Sequence, residues 1–169
     1  MNTRRPDKIL DAVRRGRAFF LSEVGADPLD SLGFIETLSC KLAGLAQSPS
    51  HAPFDGIHRA TGALFEIGSS HGLTDHHEYW AHCFGGLDRP VSGCILVAID
   101  PDEEADSPLR FFVVPSEVLP SSGHLKMNVL KGNRPYESVD SKWLQYEVAP
   151  GDLATEVTRI ADEASSEWL

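Results

Sequence analysis

The sequence predicts a mixed α/β domain on the strength of three observations. Apolar residues recur at steps of three and four along residues 28–47, which predicts an amphipathic helix. Two short apolar runs flank a polar, glycine-bearing turn within residues 53–72, which predicts a β-hairpin. Residues 91–99 are almost continuously apolar, as in a strand buried on both faces. The helical stripe consists of Leu32, Ile35, Leu38, Leu42 and Leu45.

Length and composition are those of one globular domain. The chain has 169 residues, of which 41% are hydrophobic and 24% charged. We expect a basic helical extension over residues 1–25, a core over 29–148 and a C-terminal helix over 150–169. No apolar run approaches the roughly 20 residues of a membrane span, and the N-terminus lacks a signal-peptide core. The expectation is a cytoplasmic protein that does not bind membranes.

The first helix is basic, although the whole chain is acidic. The net charge is −10, yet residues 1–20 carry six basic and two acidic side chains, so the remainder carries −14. One interpretation is a phosphate-contacting patch; the other is a solvated face that balances an acidic body. We expect this helix to stop at Gly25, and Asp27 can cap the next helix. The basic residues are Arg4, Arg5, Lys8, Arg14, Arg15 and Arg17.

The hairpin carries two carboxylates on neighbouring strands. Asp55 lies in the first apolar run and Glu66 in the second. Paired strands are about 4.8 Å apart, so two acids that face the same way can share a divalent cation at about 2.1 Å. Glu36 lies one position off the apolar stripe of the preceding helix. The alternative is a solvated hairpin that happens to carry two acids.

The histidine-rich segment after the hairpin predicts a partly exposed strand. Four potential zinc ligands occur there, but their spacing matches none of the paired ligand patterns. The three cysteines of the chain are odd in number and unevenly spaced, which favours free thiols in a reducing compartment. The potential zinc ligands are His76, His77, His82 and Cys83.

The second half of the chain continues with strands and ends in a helix. Residues 110–119 predict a strand that runs into a helical turn, and residues 124–130 alternate as a strand. An apolar stripe follows Asp152, a plausible cap, and needs a groove on this domain or on a second subunit. The stripe consists of Leu153, Val157, Ile160, Ala164 and Trp168.

The chain resembles the PD-(D/E)xK nuclease superfamily in its order of elements, which is helix, hairpin, buried strand, helical segment and strand. The matching pieces are Glu66-Ile67-Gly68-Ser69-Ser70, then Tyr79-Trp80, then residues 93–100, then Phe111-Phe112-Val113-Val114-Pro115-Ser116-Glu117.

The resemblance implies a restriction-endonuclease-like three-layer sandwich, with a mixed central β-sheet flanked by helices. It also implies phosphodiester hydrolysis with Mg²⁺ or Mn²⁺ held by Glu36, Asp55 and Glu66. Weaker contacts to nucleic acid would come from the basic helix and from Ser69, Ser70 and His71.

One departure from the family's pattern bears on activity. The lysine of the family's motif aligns with Gly68. Position 68 faces the same side of the strand as Glu66, because strand residues two apart share a face. His71 should face the opposite way, and Lys41 lies about 140° around the helix from Glu36, so neither replaces the lysine. We therefore expect a nuclease-like protein of a defence or restriction system that binds nucleic acid, DNA in the first place, with impaired cleavage. The alternative is an acidic protein-binding protein of the immunity or inhibitor kind, and a homodimer or other protein partner is compatible with both.

Overall fold

The computed structural model describes residues 6–49, 52–72, 74–75, 79–101, 108–130 and 142–166. Several residues singled out in the sequence lie outside these ranges: Arg4, Arg5, His76, His77 and Trp168.

The described residues form three helices: α1 (Pro6–Val24), α2 (Leu32–Ala43) and α3 (Leu153–Ser166). The single helix predicted over residues 28–47 is instead a 3-10 turn, Pro28–Asp30, followed by α2. Two caps cause this division. The Asp27 side chain accepts a hydrogen bond from Leu29 N, while Ser31 has extended backbone and accepts from Phe34 N. Gly44, at φ 71°, then ends α2 before residue 47.

Within the described ranges, nine strands form two sheets. In chain order they are β1 (Ala46–Gln47), β2 (Gly56–Ile57), β3 (Leu64–His71), β4 (Thr74–Asp75), β5 (Tyr79–Phe84), β6 (Gly93–Ile99), β7 (Leu109–Pro115), β8 (Leu125–Leu130) and β9 (Glu147–Val148). The main sheet has the order β1-β2-β3-β6-β7-β9, and the second sheet has the order β4-β5-β8. β3 and β6 are parallel, while the other pairs in the described chain are antiparallel.

The three helices all lie on one face of the main sheet. Phe65 and Ile67 of β3 point to this face and join one apolar core with Ile35 of α2 and Val157 of α3. The predicted helix after residue 152 therefore packs on its own chain. The chain is an α/β protein, as the sequence predicts, and β6 is buried along its whole length.

The other face of the main sheet is covered by the second sheet, where the resemblance implies a layer of helices. Leu96 and Phe112 of the main sheet share a second apolar core with Phe84 and Met127 of the small sheet. The helical turn predicted at the end of residues 110–119 is a 3-10 turn, Ser116–Val118, with no buried residue, so it does not cover this face. Three residues cannot cover a sheet, whereas alternating apolar residues on β5 and β8 can.

A buried arginine fixes α1 to the rest of the protein. Arg17 is 3% exposed, although the sequence groups it with the solvated basic residues of this helix. Its Nε donates to Asp27 Oδ2 at 2.7 Å, and its Nη1 donates to the carbonyl oxygen of Asp100 at 3.1 Å. The prediction of Arg17 as a phosphate contact is thereby corrected, because its guanidinium is occupied inside the protein.

None of the helices in the described part of the chain combines the length and the apolarity needed to cross a bilayer. All three cysteines are free; Cys40 and Cys94 are buried and Cys83 is exposed.

Candidate functional site

The hairpin places Asp55 beside Glu66. Gly56 pairs with Phe65, and the N–H of Asp55 donates to the Phe65 carbonyl at 2.9 Å. The turn is closed by a hydrogen bond from the N–H of His58 to the Ala63 carbonyl at 2.8 Å. The two acids therefore lie on adjacent chain segments, as the apolar runs on either side of the turn predict.

Asp55 has a structural contact of its own. Its Oδ2 accepts a hydrogen bond from the N–H of Ile67 at 2.8 Å. β2 is too short to pair with β3 at Ile67. The Asp55 carboxylate therefore replaces the backbone carbonyl that a longer β2 would have offered to the Ile67 N–H. A carboxylate has about four acceptor positions, and one hydrogen bond leaves others for a cation.

Glu66 is held on the second-sheet side of β3. It pairs in register with Cys94, which belongs to the core shared by the two sheets. Glu66 is 8% exposed. Burial is the main reason that its pKa rises to about 7, followed by the negative charge of Asp55, with a smaller effect from Glu36. A carboxyl group in this environment is more readily ionised when a cation is near.

Glu36 approaches Asp55 from the helix side. Cys40, one helical turn after Glu36, points its thiol at the Asp55 carbonyl, with 3.7 Å between Sγ and oxygen. Burial and then the charge of Asp55 raise the pKa of Glu36. Asp55, next to the start of β2, thus has Glu36 on the helix-covered side of the sheet and Glu66 on the other side.

This arrangement separates the three predicted metal ligands. Among the residues that the structure describes, no three His, Cys, Asp or Glu side chains come close enough to hold one metal ion together. The physical reason is that α2 packs on the helix-covered face, whereas Glu66 points to the opposite face. Asp55 and Glu66 remain the adjacent pair, and Glu36 is the outlying member.

Arg89 is the charged residue at this site that the sequence interpretation missed. Its Nη1 lies 3.1 Å from both carboxylate oxygens of Glu66, and the charge of Arg89 lowers the pKa of Glu66 against the larger effect of burial. The sequence suggested His71 and Lys41 as candidate replacements for the lysine, and neither belongs to the segment that carries Arg89. The parallel pairing of β3 with β6 brings the loop that leads into β6 to the same end of the sheet as Glu66, within reach of a long side chain such as that of Arg89, but this pairing has no local signal in the sequence.

Gly68 faces an apolar surface. A Cβ added there would lie 3.4 Å from Leu96 Cδ2, 3.6 Å from Phe84 Cδ1 and 3.7 Å from Leu87 Cδ2. These are ordinary contact distances, so a side chain can begin at this position without moving the backbone. Leu87 and Arg89 belong to the same loop, residues 85–92, between β5 and β6.

The other residues of β3 that were proposed to contact nucleic acid lie away from the acids. Ser69 and His71 alternate to the helix side, and His71 Nε2 is 3.1 Å from Asp30 Oδ1. Ser70 is buried and its Oγ accepts from the N–H of Cys83 at 3.1 Å. Ser70 is thus occupied by the contact between the two sheets.

The two described members of the potential zinc set do not converge. His82 is buried with Nδ1 2.8 Å from the Ser70 carbonyl oxygen, whereas its neighbour Cys83 is exposed. Adjacent strand residues point to opposite faces, so one zinc ion cannot bind both while β5 keeps this form.

No protein-family model matches the chain, and a search of curated proteins finds none that matches it significantly.

Proposed function

We propose that this chain is a nuclease-like protein, with a second sheet in place of one helical layer of the restriction-endonuclease-like fold. It would bind one Mg²⁺ or Mn²⁺ ion at Asp55 and Glu66 and contact nucleic acid there, with impaired cleavage. The observation that carries the proposal is that these two carboxylates are adjacent. Asp55 accepts a hydrogen bond from the Ile67 N–H, and Glu66 is buried. The motif resemblance around β3, β6 and β7 supports the same reading.

Two carboxylates suffice for such a site. Mg²⁺ keeps several water ligands and is commonly bound by one or two carboxylates together with substrate phosphate oxygens. The pKa of Glu66 is raised first by burial and then by the charge of Asp55, and a cation would relieve the second of these effects. Glu36 lies on the other side of Asp55 and would act on the bound ion through water. The ion would lower the pKa of a bound water and stabilise charge on the phosphate.

The chain's own residues account for the impaired cleavage. β3 offers no amine beside Glu66, because position 68 is glycine and its surroundings are Leu96, Phe84 and Leu87. No side chain of β3 therefore positions an attacking water or offsets charge on the phosphate from that place. Binding depends on the carboxylates and is retained.

The test is a titration with Mn²⁺ followed by calorimetry and by the thermal midpoint. The wild type should bind one ion per chain, and Asp55→Asn and Glu66→Gln should each weaken binding at least about tenfold, the effect of losing one charged ligand contact. Asp162→Asn, on an exposed position of α3, is the matched control and should bind as the wild type does. A wild type without Mn²⁺ binding would rule out the proposed site.

The glycine itself gives a second test. The Cβ of Gly68→Lys meets only ordinary contacts, and circular dichroism and the thermal midpoint show whether the rest of the side chain is accommodated. The folded variant should nick plasmid DNA faster than the wild type in Mg²⁺. Gly68→Met, which has a long side chain without a charge, is its control. Equal nicking by the lysine and methionine variants would show that the missing amine is not what limits cleavage.

The alternative function, a protein-binding protein, has one observation in its favour. Large apolar side chains are exposed at the end of α1 and the start of α2, and contiguous exposed apolar surface often marks protein contacts. If the wild type binds neither Mn²⁺ nor DNA at low salt, this function takes precedence. The exposed residues are Phe19, Phe20, Val24, Leu32 and Phe34.

A further inference from the structure

We infer that Arg89 is the phosphate-binding residue of this site and that it is coupled to the metal: it pairs with Glu66 in the metal-free protein and turns to a phosphodiester when a divalent cation takes Glu66. The inference rests on the proposed function, because it needs a cation at Asp55 and Glu66. It adds the residue that recognises the substrate's charge and a reason for nucleic acid and metal to bind together.

The loop that carries Arg89 is anchored on both sides of it. Leu87 is 3% exposed and its N–H donates to the Gly123 carbonyl at 3.1 Å. Val91 is 9% exposed and its N–H donates to the carbonyl of Arg89 itself at 2.9 Å. Ser92 N–H donates to the Leu64 carbonyl at 2.8 Å, next to the start of β3. The backbone of Arg89 is therefore fixed near Glu66, while its side chain can still change rotamer.

The side chain is placed to bind an anion from solvent. The Arg89 side chain is 43% exposed, whereas that of Glu66 is 11% exposed. The guanidinium carries five N–H donors, and it reaches both oxygens of Glu66 through Nη1 alone. Donors thus remain for a second acceptor on the solvent side of the pair. Arginine binds phosphate in a bidentate manner more readily than any other side chain.

Metal and arginine compete for the same carboxylate. A divalent cation at Glu66 removes the negative charge that holds Arg89 and places a second positive charge beside it. The positive charge of the ion then repels Arg89, which is attracted instead to a phosphate bound by the ion. Because the guanidinium stays protonated, Arg89 binds and neutralises phosphate but takes no proton from water. This role is compatible with binding that persists while cleavage is slow.

Opposite effects on the two ligands distinguish this role from a structural one. Removing Arg89 takes away a competitor for Glu66, so the affinity for metal should rise. It also takes away a phosphate contact, so the affinity for nucleic acid in the presence of metal should fall. A residue that only supports the fold would lower both affinities.

The experiment compares wild type, Arg89→Ala, Arg89→Lys and Arg59→Ala. Arg59 is an exposed arginine on the hairpin turn, and its removal changes the net charge equally. Mn²⁺ alone is titrated by calorimetry, and a labelled 20-base-pair DNA duplex is titrated by fluorescence anisotropy in Mg²⁺ and in EDTA, over a range of salt concentrations.

For Arg89→Ala we expect Mn²⁺ affinity about fivefold higher, the effect of a partly exposed charge pair. In Mg²⁺ we expect DNA affinity about tenfold lower, with the slope of log affinity against log salt reduced by about one. In EDTA, where Arg89 is held by Glu66, the loss of DNA affinity should be below about twofold. Arg89→Lys should keep wild-type Mn²⁺ affinity and lose part of the DNA affinity. Arg59→Ala should stay within about twofold of wild type throughout.

The outcomes separate the two proposals. If the wild type binds no Mn²⁺, the proposed function fails and the inference fails with it. If the wild type binds Mn²⁺ but Arg89→Ala behaves as Arg59→Ala does, the inference is overturned and the proposed function stands. If Arg89→Ala weakens both ligands, or weakens DNA equally in EDTA and in Mg²⁺, the coupled role is overturned as well.

Discussion

At the scale of single residues, this protein places charge where local sequence gives little sign of it. The Asp55 carboxylate accepts a hydrogen bond from the Ile67 N–H of β3, and its charge also raises the pKa of Glu66. Arg89, 23 residues after Glu66, supplies the nearest positive charge from another part of the chain. The acids were predictable because a hairpin is a local structure. Arg89 was not, because its position depends on the pairing of two strands far apart in sequence.

Another residue with an altered pKa, His82, should make stability depend on pH. Burial lowers its pKa to about 4, with smaller lowering effects from His71 and Arg110, against the hydrogen bond to the Ser70 carbonyl. The unfolded chain binds this proton near pH 6.5 and the folded chain only near pH 4. The free energy of unfolding should therefore fall as pH drops from 6.5 to 4, by up to about 3 kcal/mol from this group.

The measurement is urea unfolding of wild type and His82→Gln across that range. The pKa of Glu66 is raised to about 7, so that group acts in the opposite sense between pH 4.5 and 7, and the contribution of His82 is the difference between the two proteins. The wild type should lose stability relative to His82→Gln as pH falls. His124→Gln, at an exposed position, should keep the wild-type pH dependence. A constant difference between wild type and His82→Gln would refute the prediction.

At the scale of elements, the local periodicities identified the hairpin, β6, β7 and α3 from the residues alone. They failed over residues 28–47, where one apolar stripe contains two separate caps. These residues divide into a 3-10 turn, α2 and β1. They also failed to show what covers the second face of the main sheet. β5 and β8 lie far apart in sequence, and a pairing at that separation leaves no periodic signal in either segment.

Arg17 anchors α1 in addition to the apolar contacts that this helix makes with the core. Arg17→Met should destabilise the protein by about 3 kcal/mol or more, because it leaves Asp27 without its buried partner. Trypsin should also cleave α1 faster in this variant than in the wild type. Arg14→Met, which removes an exposed arginine paired with Asp11, is the matched control and should cost less than about 1 kcal/mol. Equal effects of the two substitutions would show that α1 is held by its apolar contacts instead.

At the scale of the whole molecule, one chain builds three layers with two separate cores on either side of the main sheet. The candidate site lies where the segment before β2 meets β3, with Glu66 on the side of the main sheet that the second sheet covers. The negative body and the basic first helix were readable from composition, but their relation to the site was not. Only the packing shows that Arg17 is internal, which leaves Arg14 and Arg15 as exposed arginines of this helix.

The layered packing predicts that one thiol of three reacts in the native protein. Cys83 is exposed, whereas burial, and then nearby carboxylates, raise the pKa of Cys40 to about 11 and that of Cys94 to about 12. A thiol reagent such as DTNB should modify one cysteine rapidly at neutral pH and all three in urea. Cys83→Ser should abolish the rapid reaction. Two or more fast thiols in the folded wild type would contradict the packing of both cores.

The parallel pairing of β3 with β6 has a consequence for synthesis on the ribosome. β2 and β3 leave the exit tunnel in succession, so the hairpin that bears both acids can form early, whereas β6 is made only after residues 72–92 have been translated. Until then one edge of β3 is open, and Arg89 does not yet exist to neutralise Glu66. A nascent chain stalled between the two strands would carry both acids without the neighbouring strand that makes their sheet stable.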